Sequence, residues 1–471
     1  MGEVQVSPNV HGIETEYSCL IDLPGGTSSE IVGACHSVDG ALGLDVPMPE
    51  ETGFDQVNID DIRQALGSLG ITANMYGMLT NGGRLYADQS GPEYATPETS
   101  TAEEAVLRSF DGDVIMFKVL RYLQEQEIIE GFQLNRRGVD HSGVSRGTHL
   151  NTFTYLNADN LPLRFALMTL NVAKGALFGS GGLLINEQGE SEYHYSPRLS
   201  VTTNVANDNW LVRSLVRSPF KDDVGGKRIE TVSGDALNFP WPLRASMVIT
   251  NAVVGAIELE TVGELPLINP NMVLHGAHAV GKDGHNSHVS VLTDRSPKLE
   301  PSLSVLMRIC EAVMRIDEQH EYLDDESRQV IPEIIETIDM VRDDPLSAAY
   351  RVESISRKLS MDRKLDGLSL DTERACRVDY AWDWIGGAGY AEALRNNERY
   401  WHGFTMPNTP SARATRLVTP PQDTRAVIRA SWISSAPGHA QHDESEWDSI
   451  EGLSQRVGPL DANVVMHPED C

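Results

Sequence analysis

The order of strand-like and helix-like segments is the feature that most limits the folds open to this chain of 471 residues. Alternating apolar patterns and turn signals fill the first part and predict strands at residues 11–22, 131–158 and 181–260. Amphipathic helix patterns follow from Leu303 to Ile316 and from Ile331 to Val341. Because strands and helices do not alternate as β-α-β units, this order predicts an α+β fold built on an antiparallel sheet.

Two helices are also predicted inside the strand-rich part. Residues 58–69 form a short amphipathic pattern, and a longer one begins after Ser100 or Thr101, either of which is suited to cap a helix. The triplet Asp111-Gly112-Asp113 lies within the longer pattern and is expected to kink or break it.

The chain is predicted to contain one large catalytic domain, residues 1–415, and a small C-terminal domain, residues 416–471. The boundary rests on the Pro-rich stretch at 419–426. Residues 23–54 are rich in Gly, Pro and Asp and show little periodicity, so they are predicted to form a flexible loop.

The charge balance is strongly acidic. The chain has 38 Lys and Arg residues against 68 Asp and Glu residues, a formal net charge of −30. Because sequence-independent binding to phosphate backbones relies on Lys and Arg, this composition disfavours a nucleic-acid partner.

Cysteine usage and hydropathy indicate a cytoplasmic protein without a membrane partner. The five cysteines are scattered, with no close pair, as expected in a reducing compartment. The N-terminal residues show no basic leader followed by an apolar run, and no segment reaches the roughly 18 apolar residues of a membrane span.

Glu14 and Glu16 form the first candidate site, within the predicted strand GIETEY. Side chains at positions i and i+2 of a strand point to the same face, so these two carboxylates lie side by side. A hard cation such as Mg²⁺ would relieve their repulsion, because it prefers oxygen ligands. The alternative is a polar strand face exposed to solvent.

Asp88 and Glu93 flank a Gly91-Pro92 turn within NGGRLYADQSGPEY. Two carboxylates five residues apart fit either a salt-bridged surface loop or the floor of an active site.

Two further candidate residues lie downstream. His149 follows Arg-Gly-Thr. Arg425 follows a rigid Pro-Pro turn, so Arg425 is suited to a phosphate or a salt bridge.

Other common functional motifs are missing from the sequence. There is no Walker A, GxGxxG, HExxH or GxSxG pattern, so any nucleotide must be held in another way. Four histidines have the spacing H-x2-H-x6-H-x2-H, which matches no usual structural zinc pattern; they are His275, His278, His285 and His288.

Taken together and in order, the segments GIETEY, LTNGGRLYADQSGPEYATPE, RGTHLN, SGDALN and TPPQDTRAVIRASW resemble the Pup ligase and depupylase family. The resemblance runs from residue 11 to the tail EWDSIEG. It implies a glutamine synthetase-like fold, in which helices pack on a curved antiparallel β-sheet cradle that holds ATP and Mg²⁺. It also implies Pup, or a Pup-like or small-molecule carboxylate or amide, as the substrate.

The resemblance also assigns roles to residues. Asp88 is implied as the reactive carboxylate. The implied metal ligands are Glu14, Glu16, Glu93 and His149. The residues implied in nucleotide binding are Arg84, Tyr86, His149, Asn151, Arg228 and Arg425.

Details favour the depupylase branch. Asp88 precedes Pro92 by four residues, LHGAHAVGKDG resembles a depupylase segment, and the loop after residue 23 occupies the place of a depupylase insertion. The sequence departs from the family pattern at Gly91 and Glu230, where histidines are usual, and at Leu150, where an acidic residue is usual. These departures predict altered nucleotide coordination or substrate recognition.

Three functions are compatible with these residues. The first is an ATP- and Mg²⁺-dependent amidohydrolase in which Asp88 attacks the side-chain amide or isopeptide bond of a C-terminal Gln or Glu. The second is an ATP-dependent amide ligase in which Asp88 deprotonates an amine that attacks an acyl phosphate. The third is a catalytically weakened nucleotide-binding paralogue.

An acidic partner such as Pup would need a local basic groove on this acidic chain. Arginines at 351, 357, 363 and 374 are candidates for that groove. The alternative is that they are ordinary helix-surface residues paired with nearby acids.

Overall fold

The protein is described here by a computed structural model. It describes residues 6–24, 54–74, 77–88, 91–141, 145–157, 159–207, 214–217, 220–293, 296–387, 389–435 and 459–460. Nearly all of the predicted loop 23–54 and most of the predicted C-terminal domain lie outside these ranges.

Fourteen strands are present in the described ranges. They are β1 (His11–Glu16), β2 (Ser18–Asp22), β3 (Arg84–Asp88), β4 (Gly91–Ala95), β5 (Gly131–Asn135), β6 (Thr148–Thr154), β7 (Gly182–Ile185), β8 (Ser191–His194), β9 (Asn204–Asn207), β10 (Ser214–Arg217), β11 (Lys221–Asp223), β12 (Gly226–Thr231), β13 (His288–Val291) and β14 (Lys298–Pro301).

Thirteen α-helices accompany them in the same ranges. They are α1 (Ile59–Ser68), α2 (Ala102–Glu125), α3 (Leu161–Phe178), α4 (Pro197–Ser200), α5 (Pro240–Glu258), α6 (Val273–Asp283), α7 (Ser302–His320), α8 (Asp325–Asp343), α9 (Glu353–Leu365), α10 (Glu373–Tyr380), α11 (Tyr390–Arg395), α12 (Pro410–Val418) and α13 (Ala426–Ser435).

The main sheet has six strands in the order β11-β12-β6-β1-β4-β3, and every neighbouring pair is antiparallel. This arrangement confirms the predicted α+β fold with an antiparallel sheet. The other strands form two-stranded ribbons, of which β9–β10 is parallel. Strand β1 lies in the middle of the main sheet, so its side chains have neighbours on both sides.

The two faces of the main sheet differ in chemistry. Ile13 of β1, Leu150 of β6 and Ile229 of β12 belong to the largest hydrophobic cluster, which they share with buried residues of α3, α5, α7 and α8. Alternation along each strand therefore places Glu14, His149 and the other polar residues on the opposite face. Burial of the apolar face fixes the register that brings the polar side chains together.

Helix α2 matches its predicted start but has no break. The Thr101 side chain accepts a hydrogen bond from the Glu104 amide, and the helix continues to Glu125. A Cβ atom at Gly112 would lie 2.3 Å from the Tyr94 ring, so glycine there permits close packing between helix and sheet. Helix α2 is continuous through residues 111–113, so the expected break there was wrong.

The prediction of strands over residues 181–260 was wrong at its C-terminal end. Residues 240–258 form helix α5, and all of them are buried. Apolar residues spread around most of this helix, and the polar residues that it carries are buried too, so periodicity alone does not separate it from buried strands. Helix α1, in contrast, lies within one residue of its predicted limits because one of its faces is polar.

Two further predictions concern the chain as a whole. Within the described ranges, no helix combines the length and apolar character needed to cross a membrane. Helix α12 runs from residue 410 to residue 418 and so continues through the predicted domain boundary at 415/416. The two-domain division stays a prediction.

Candidate active site

The polar face of the main sheet brings together residues that are distant in sequence. In the register of β1 with β6, Glu14 is paired with His149, and in the register of β1 with β4, Glu16 is paired with Glu93. Glu14, Glu93 and His149 are buried. Each offers one potential ligand atom, and these atoms lie within 4.8 Å of one another.

His149 lies at the centre of this cluster. Its Nδ1 atom is 3.2 Å from Oε2 of Glu14 and 3.1 Å from Oε1 of Glu230. Its Nε2 atom is 3.7 Å from Oε1 of Glu16, whose other oxygen accepts a hydrogen bond from the Gly147 amide. The imidazole is therefore surrounded by three carboxylates.

The electrostatics of the cluster follow from burial and close charges. Burial alone would raise the pKa of Glu14, but the hydrogen bond from His149 and the charge of Arg228 lower it to about 2. Burial and repulsion from Glu14 and Glu16 raise the pKa of Glu93 well above its ordinary value. Burial opposes the charged form of His149, yet its contacts with Glu14 and Glu230 raise its pKa well above the ordinary value.

The donor set fits a hard cation. Oxygen-rich carboxylate clusters are what Mg²⁺ prefers in proteins. The raised pKa of Glu93 results in part from unbalanced negative charge, and a divalent cation among these oxygens would remove that cause. Glu14, Glu16, Glu93 and His149 therefore remain the proposed metal ligands, and His149 would have to release its proton before its ring nitrogen could bind a metal.

Asn151 and Arg228 lie beside the cluster. Nδ2 of Asn151 donates to Oε1 of Glu14 at 3.1 Å, and Nη1 of Arg228 donates to the same oxygen at 3.0 Å. On the other side, Tyr86 is hydrogen-bonded to Glu93, and the Arg84 guanidinium lies 4.3 Å from the centre of the Tyr86 ring. Four of the residues predicted to bind nucleotide thus surround the carboxylates.

Arg425 is positioned by carboxylates. Its Nε atom is 2.6 Å from Oε1 of Glu98, and its Nη1 atom is 2.7 Å from Oδ1 of Asp223. Arg425, Asp223, Glu14 and Arg228 line a common cavity of about 40 Å³. This volume suits a few water molecules, so a nucleotide would have to lie across the open face of the sheet.

Asp88 ends strand β3, where its backbone is paired with Gly91 of β4. Tyr86, two residues earlier, is paired with Glu93. The side chain of Asp88 lies outside the described part of the structure, so its proposed role rests on the strand position and the sequence. Leu150 lies on the core face of the sheet, so this departure from the family pattern removes no carboxylate from the polar face.

Sequence reasoning missed a group of charged residues on strands β10 to β12. The Glu230 carboxylate contacts Arg217 at 3.1 Å and Lys221 at 2.9 Å, in addition to His149. Glu230 follows Arg228 by two residues, so strand alternation places both on the polar face. That alternation is the signal in the sequence that places Glu230 at the site, whereas comparison with the family pattern marks Glu230 only as a departure.

The proposed basic groove does not include Arg351 and Arg357. Both are buried, and Arg357 contacts Asp379 at 2.8 Å and Asp383 at 2.9 Å. Arg351 contacts Glu336 at 2.7 Å. These arginines are thus paired with acids, as the alternative predicted, although they lie in the interior rather than on a helix surface.

The four histidines of the rejected zinc pattern have various neighbours. His275 and His278 lie on α6, and Nε2 of His278 donates to the Thr202 carbonyl at 2.8 Å. The His285 ring lies edge-on to Tyr195 with their centroids 5.1 Å apart, and His288 begins β13.

Comparison with known proteins identifies related sequences. The chain matches the family described as Pup-ligase protein from residue 9 to residue 451. A depupylase of Acidothermus cellulolyticus is 24% identical over 483 residues, which cover 94% of this chain and 90% of that protein. A Pup–protein ligase of Micrococcus luteus is 25% identical over 424 residues, which cover 85% of this chain and 87% of that protein.

Solved structures share the fold. The complex between the prokaryotic ubiquitin-like protein Pup and its ligase PafA matches with a TM-score of 0.73 and 19% identity, over 97% of this chain and 90% of that chain. PafA in complex with ADP matches with a TM-score of 0.67 and 19% identity, over 92% of this chain and 94% of that chain. The arrangement of helices on an antiparallel sheet is thus common to these proteins.

Proposed function

The chain belongs to the Pup-ligase family, as its sequence motifs indicated, and we propose that it is an ATP- and Mg²⁺-dependent amidohydrolase of the depupylase and Pup deamidase type. The bond proposed to be hydrolysed is the side-chain amide or isopeptide bond at a C-terminal Gln or Glu. The proposed substrate is Pup or a pupylated protein. A depupylase relative that covers 94% of the chain supports this choice of reaction. The proposed location is the cytoplasm.

One observation carries the proposal: a buried cluster of Glu14, Glu93 and His149 on the polar face, flanked by cationic side chains. Buried like charges are costly unless a cation lies among them. Arg228, Arg217 and Lys221 lie within ion-pair distance of Glu14 or Glu230, so anionic phosphates have partners beside the metal ligands. A PafA structure with ADP supports a nucleotide on this fold.

In the proposed reaction, the Asp88 carboxylate attacks the carbonyl carbon of the substrate amide and forms a new C–O bond. The C–N bond then breaks as the nitrogen takes up a proton and leaves as ammonia or as a lysine amine. Water attacks the resulting anhydride, releases the substrate γ-carboxylate and restores Asp88. The γ-carboxylate gains the oxygen from water, so no oxidant or reductant is required.

The other residues of the site bind Mg²⁺ or hold the carboxylates of the cluster in place. Glu14, Glu16, Glu93 and His149 would hold Mg²⁺, which supplies Lewis-acid stabilisation of developing negative charge. Arg228 and Asn151 fix the Glu14 carboxylate through hydrogen bonds of 3.0 and 3.1 Å. Tyr86 and Arg84 fix the side of the cluster next to Asp88, because Tyr86 is hydrogen-bonded to Glu93 and stacks under Arg84.

The second candidate is an ATP-dependent carboxylate–amine ligase of the Pup ligase type. A Pup–protein ligase relative, 25% identical over 85% of the chain, supports it. In that direction Asp88 would accept a proton from an incoming amine, which then attacks a γ-glutamyl phosphate. The same cluster would serve both reactions, so the products distinguish them.

The deciding experiment is a mass-spectrometric assay with ATP and Mg²⁺, with ADP measured in parallel. Purified protein receives Pup ending in Gln, a pupylated protein, or Pup ending in Glu together with an amine. Deamidated or released Pup with far less than one ADP per product would support the amidohydrolase. A new conjugate with one ADP per bond would support the ligase. If the protein binds nucleotide but forms none of these products, both proposed reactions are refuted.

Variants test the proposed residues. Asp88→Asn should abolish product formation and leave ATP binding unchanged, whereas Glu14→Ala combined with Glu16→Ala should abolish Mg²⁺-dependent ATP binding. Asp60→Asn is a matched control, because Asp60 is exposed on helix α1. An Asp88→Asn variant with wild-type turnover would refute the nucleophile assignment.

A further inference from the structure

The guanidinium of Arg146 lies over Gly91 at one end of the main sheet. A Cβ atom added at Gly91 would lie 2.7 Å from Nη1, 2.9 Å from Cζ and 3.1 Å from Nη2 of Arg146. The guanidinium therefore fills the space in which a side chain at position 91 would begin. Because Gly91 precedes Glu93 by two residues on β4, this space is on the polar face of the sheet. Arg146 thus adds a buried cation to the face that holds the candidate active site.

Hydrogen bonds fix the backbone at Arg146 and at the residue that follows it. The Arg146 amide donates to the Gly138 carbonyl at 2.9 Å. The Gly147 amide donates to the Glu16 carboxylate. The Arg146 side chain therefore starts from a defined position beside the carboxylate cluster.

Gly91 is paired with Asp88, the proposed nucleophile, in the register of β3 with β4. The Cα atoms of such a pair are about 4.5–5.5 Å apart. The guanidinium that lies over Gly91 is therefore next to the strand position of Asp88. This places Arg146 at the end of the sheet where the proposed bond is broken.

Three other cations of the polar face lie farther from this end. Lys221 is on β11 and Arg228 on β12, in the strand order β11-β12-β6-β1-β4-β3. Four strand spacings separate β12 from β3, a distance of about 19 Å. Arg84 begins β3, four residues and about 13 Å along the strand from Asp88. Of these four cations, Arg146 alone lies over the register partner of Asp88.

We propose that Arg146 is a catalytic residue of the reaction in which Asp88 is the nucleophile, an assignment that rests on the proposed function. As the Asp88 carboxylate forms a C–O bond with the carbon of the substrate amide, the electron pair of the C=O bond moves onto the amide oxygen. The Arg146 guanidinium donates hydrogen bonds to this oxygen while it is negative. The electron pair returns when the C–N bond breaks and the nitrogen takes up a proton, so Arg146 is unchanged by the step.

Gly91 leaves the room that Arg146 uses. A histidine is usual at this position in the family pattern, and a side chain here would displace the guanidinium from the space that it fills. The glycine and the arginine therefore act as a pair. The departure at position 91 exchanges the side chain of one strand residue for a guanidinium that reaches the same place from a neighbouring loop.

The test is the steady-state deamidation of Pup ending in Gln by the full chain with saturating ATP and Mg²⁺, followed by mass spectrometry over a range of Pup concentrations. Arg146→Gln should lower kcat about 100- to 1,000-fold, as loss of an oxyanion donor does, while KM changes less than about threefold. Arg146→Lys keeps the charge and should regain at least about tenfold of this kcat. Arg121→Gln is the matched control, because Arg121 is exposed on helix α2 and pairs with Glu125.

Gly91→Ala tests the pair, because the added Cβ displaces the guanidinium without removing it. It should lower kcat at least about tenfold in the wild-type chain and less than about twofold in the Arg146→Gln chain, since both changes act through the same group. Equal losses of kcat in the two chains would overturn the proposed action through Arg146.

Thermal unfolding and calorimetric titration with ATP and Mg²⁺ first compare each variant with wild type, and both should be unchanged in Arg146→Gln. A folded Arg146→Gln variant with wild-type kcat would overturn the assignment and leave the proposed function standing. A higher KM at unchanged kcat would overturn it as well, because the guanidinium would then only bind substrate. A wild-type chain that binds nucleotide but forms no product would overturn the proposed function, and the role of Arg146 with it.

Discussion

The buried carboxylate of Glu98 joins helix α13 to the main sheet, and its removal tests how much this ion-pair network stabilises the helix. Glu98 follows strand β4 and accepts hydrogen bonds from two guanidinium groups. Arg429 of α13 contacts it at 2.7 Å and Arg425 at 2.6 Å. Arg429 also donates to the Gly82 carbonyl at 2.7 Å. We predict that Glu98→Gln loosens α13 without unfolding the sheet.

The magnitude follows from the pKa of Glu98. Burial would raise this pKa, but Arg429 and Arg425 lower it from 4.5 to about 2. A shift of this size corresponds to about 3 kcal/mol in favour of the ionised, folded state. Because the folded-state pKa is depressed, this stabilisation is fully present above pH 4.5 and is lost as the pH falls towards 2. Removing one partner of a buried ion pair costs a similar amount, about 3–5 kcal/mol.

Hydrogen exchange followed by mass spectrometry would measure the exchange rate of backbone amides in peptides from residues 426–435. At pH 7, a loss of about 3 kcal/mol speeds exchange in α13 by about 100-fold. Glu125→Gln is the control, because its pair with Arg121 is exposed and is worth less than about 0.5 kcal/mol. Exchange in α13 that rises less than about fivefold in Glu98→Gln would refute the reasoning.

Three further substitutions have clear expected outcomes. Burial lowers the pKa of Lys174 to about 7, so the free energy of unfolding should rise with pH between about 7 and 10.5. Lys174→Met should add about 4 kcal/mol to that free energy at pH 7 and remove its rise with pH. Urea unfolding at pH 7 and pH 9 would measure both effects. Gly112→Ala places a Cβ atom 2.3 Å from the Tyr94 ring and should lower the free energy of unfolding by about 1–3 kcal/mol in the same assay. Gly189→Ala is the control, because its added Cβ meets no atom within 4 Å and the variant therefore reports only the cost of a positive φ. Asp379→Asn leaves Arg137 and Arg357 underneutralised in the interior and should cost about 3–5 kcal/mol; unchanged thermal unfolding would contradict this.

The parts of the fold that the sequence predicts are those with a local signal. The spacing of Glu14 and Glu16 places both on one strand face, and the structure has that strand at the centre of the sheet. Helix α1 has a polar side and an apolar side, so its limits were predicted to within one residue. Helix α5 is buried on every side and has no exposed polar side, so the prediction of strands at residues 240–258 was wrong.

The candidate site required information that local patterns do not contain. Glu230 reaches His149 only because β12 pairs with β6 in one register, with Glu230 opposite Asn151. A shift of one residue would have turned Glu230 to the core. Arg425 likewise pairs with Asp223, which lies 202 residues earlier, through folding of the C-terminal segment against the sheet. The family resemblance supplied residue identities, whereas these contacts depend on the register.

The contacts around Glu230 also explain how an acidic chain can bind an anionic nucleotide. Arg217 and Lys221 neutralise Glu230, and Arg228 neutralises Glu14, so each local cation has a carboxylate partner. A divalent cation bound by Glu14, Glu16 and Glu93 would take over the neutralisation of Glu14, which leaves Arg228 of strand β12 free to pair with phosphate oxygens. We therefore expect metal and nucleotide to bind cooperatively at this face, because each supplies the charge that the other requires.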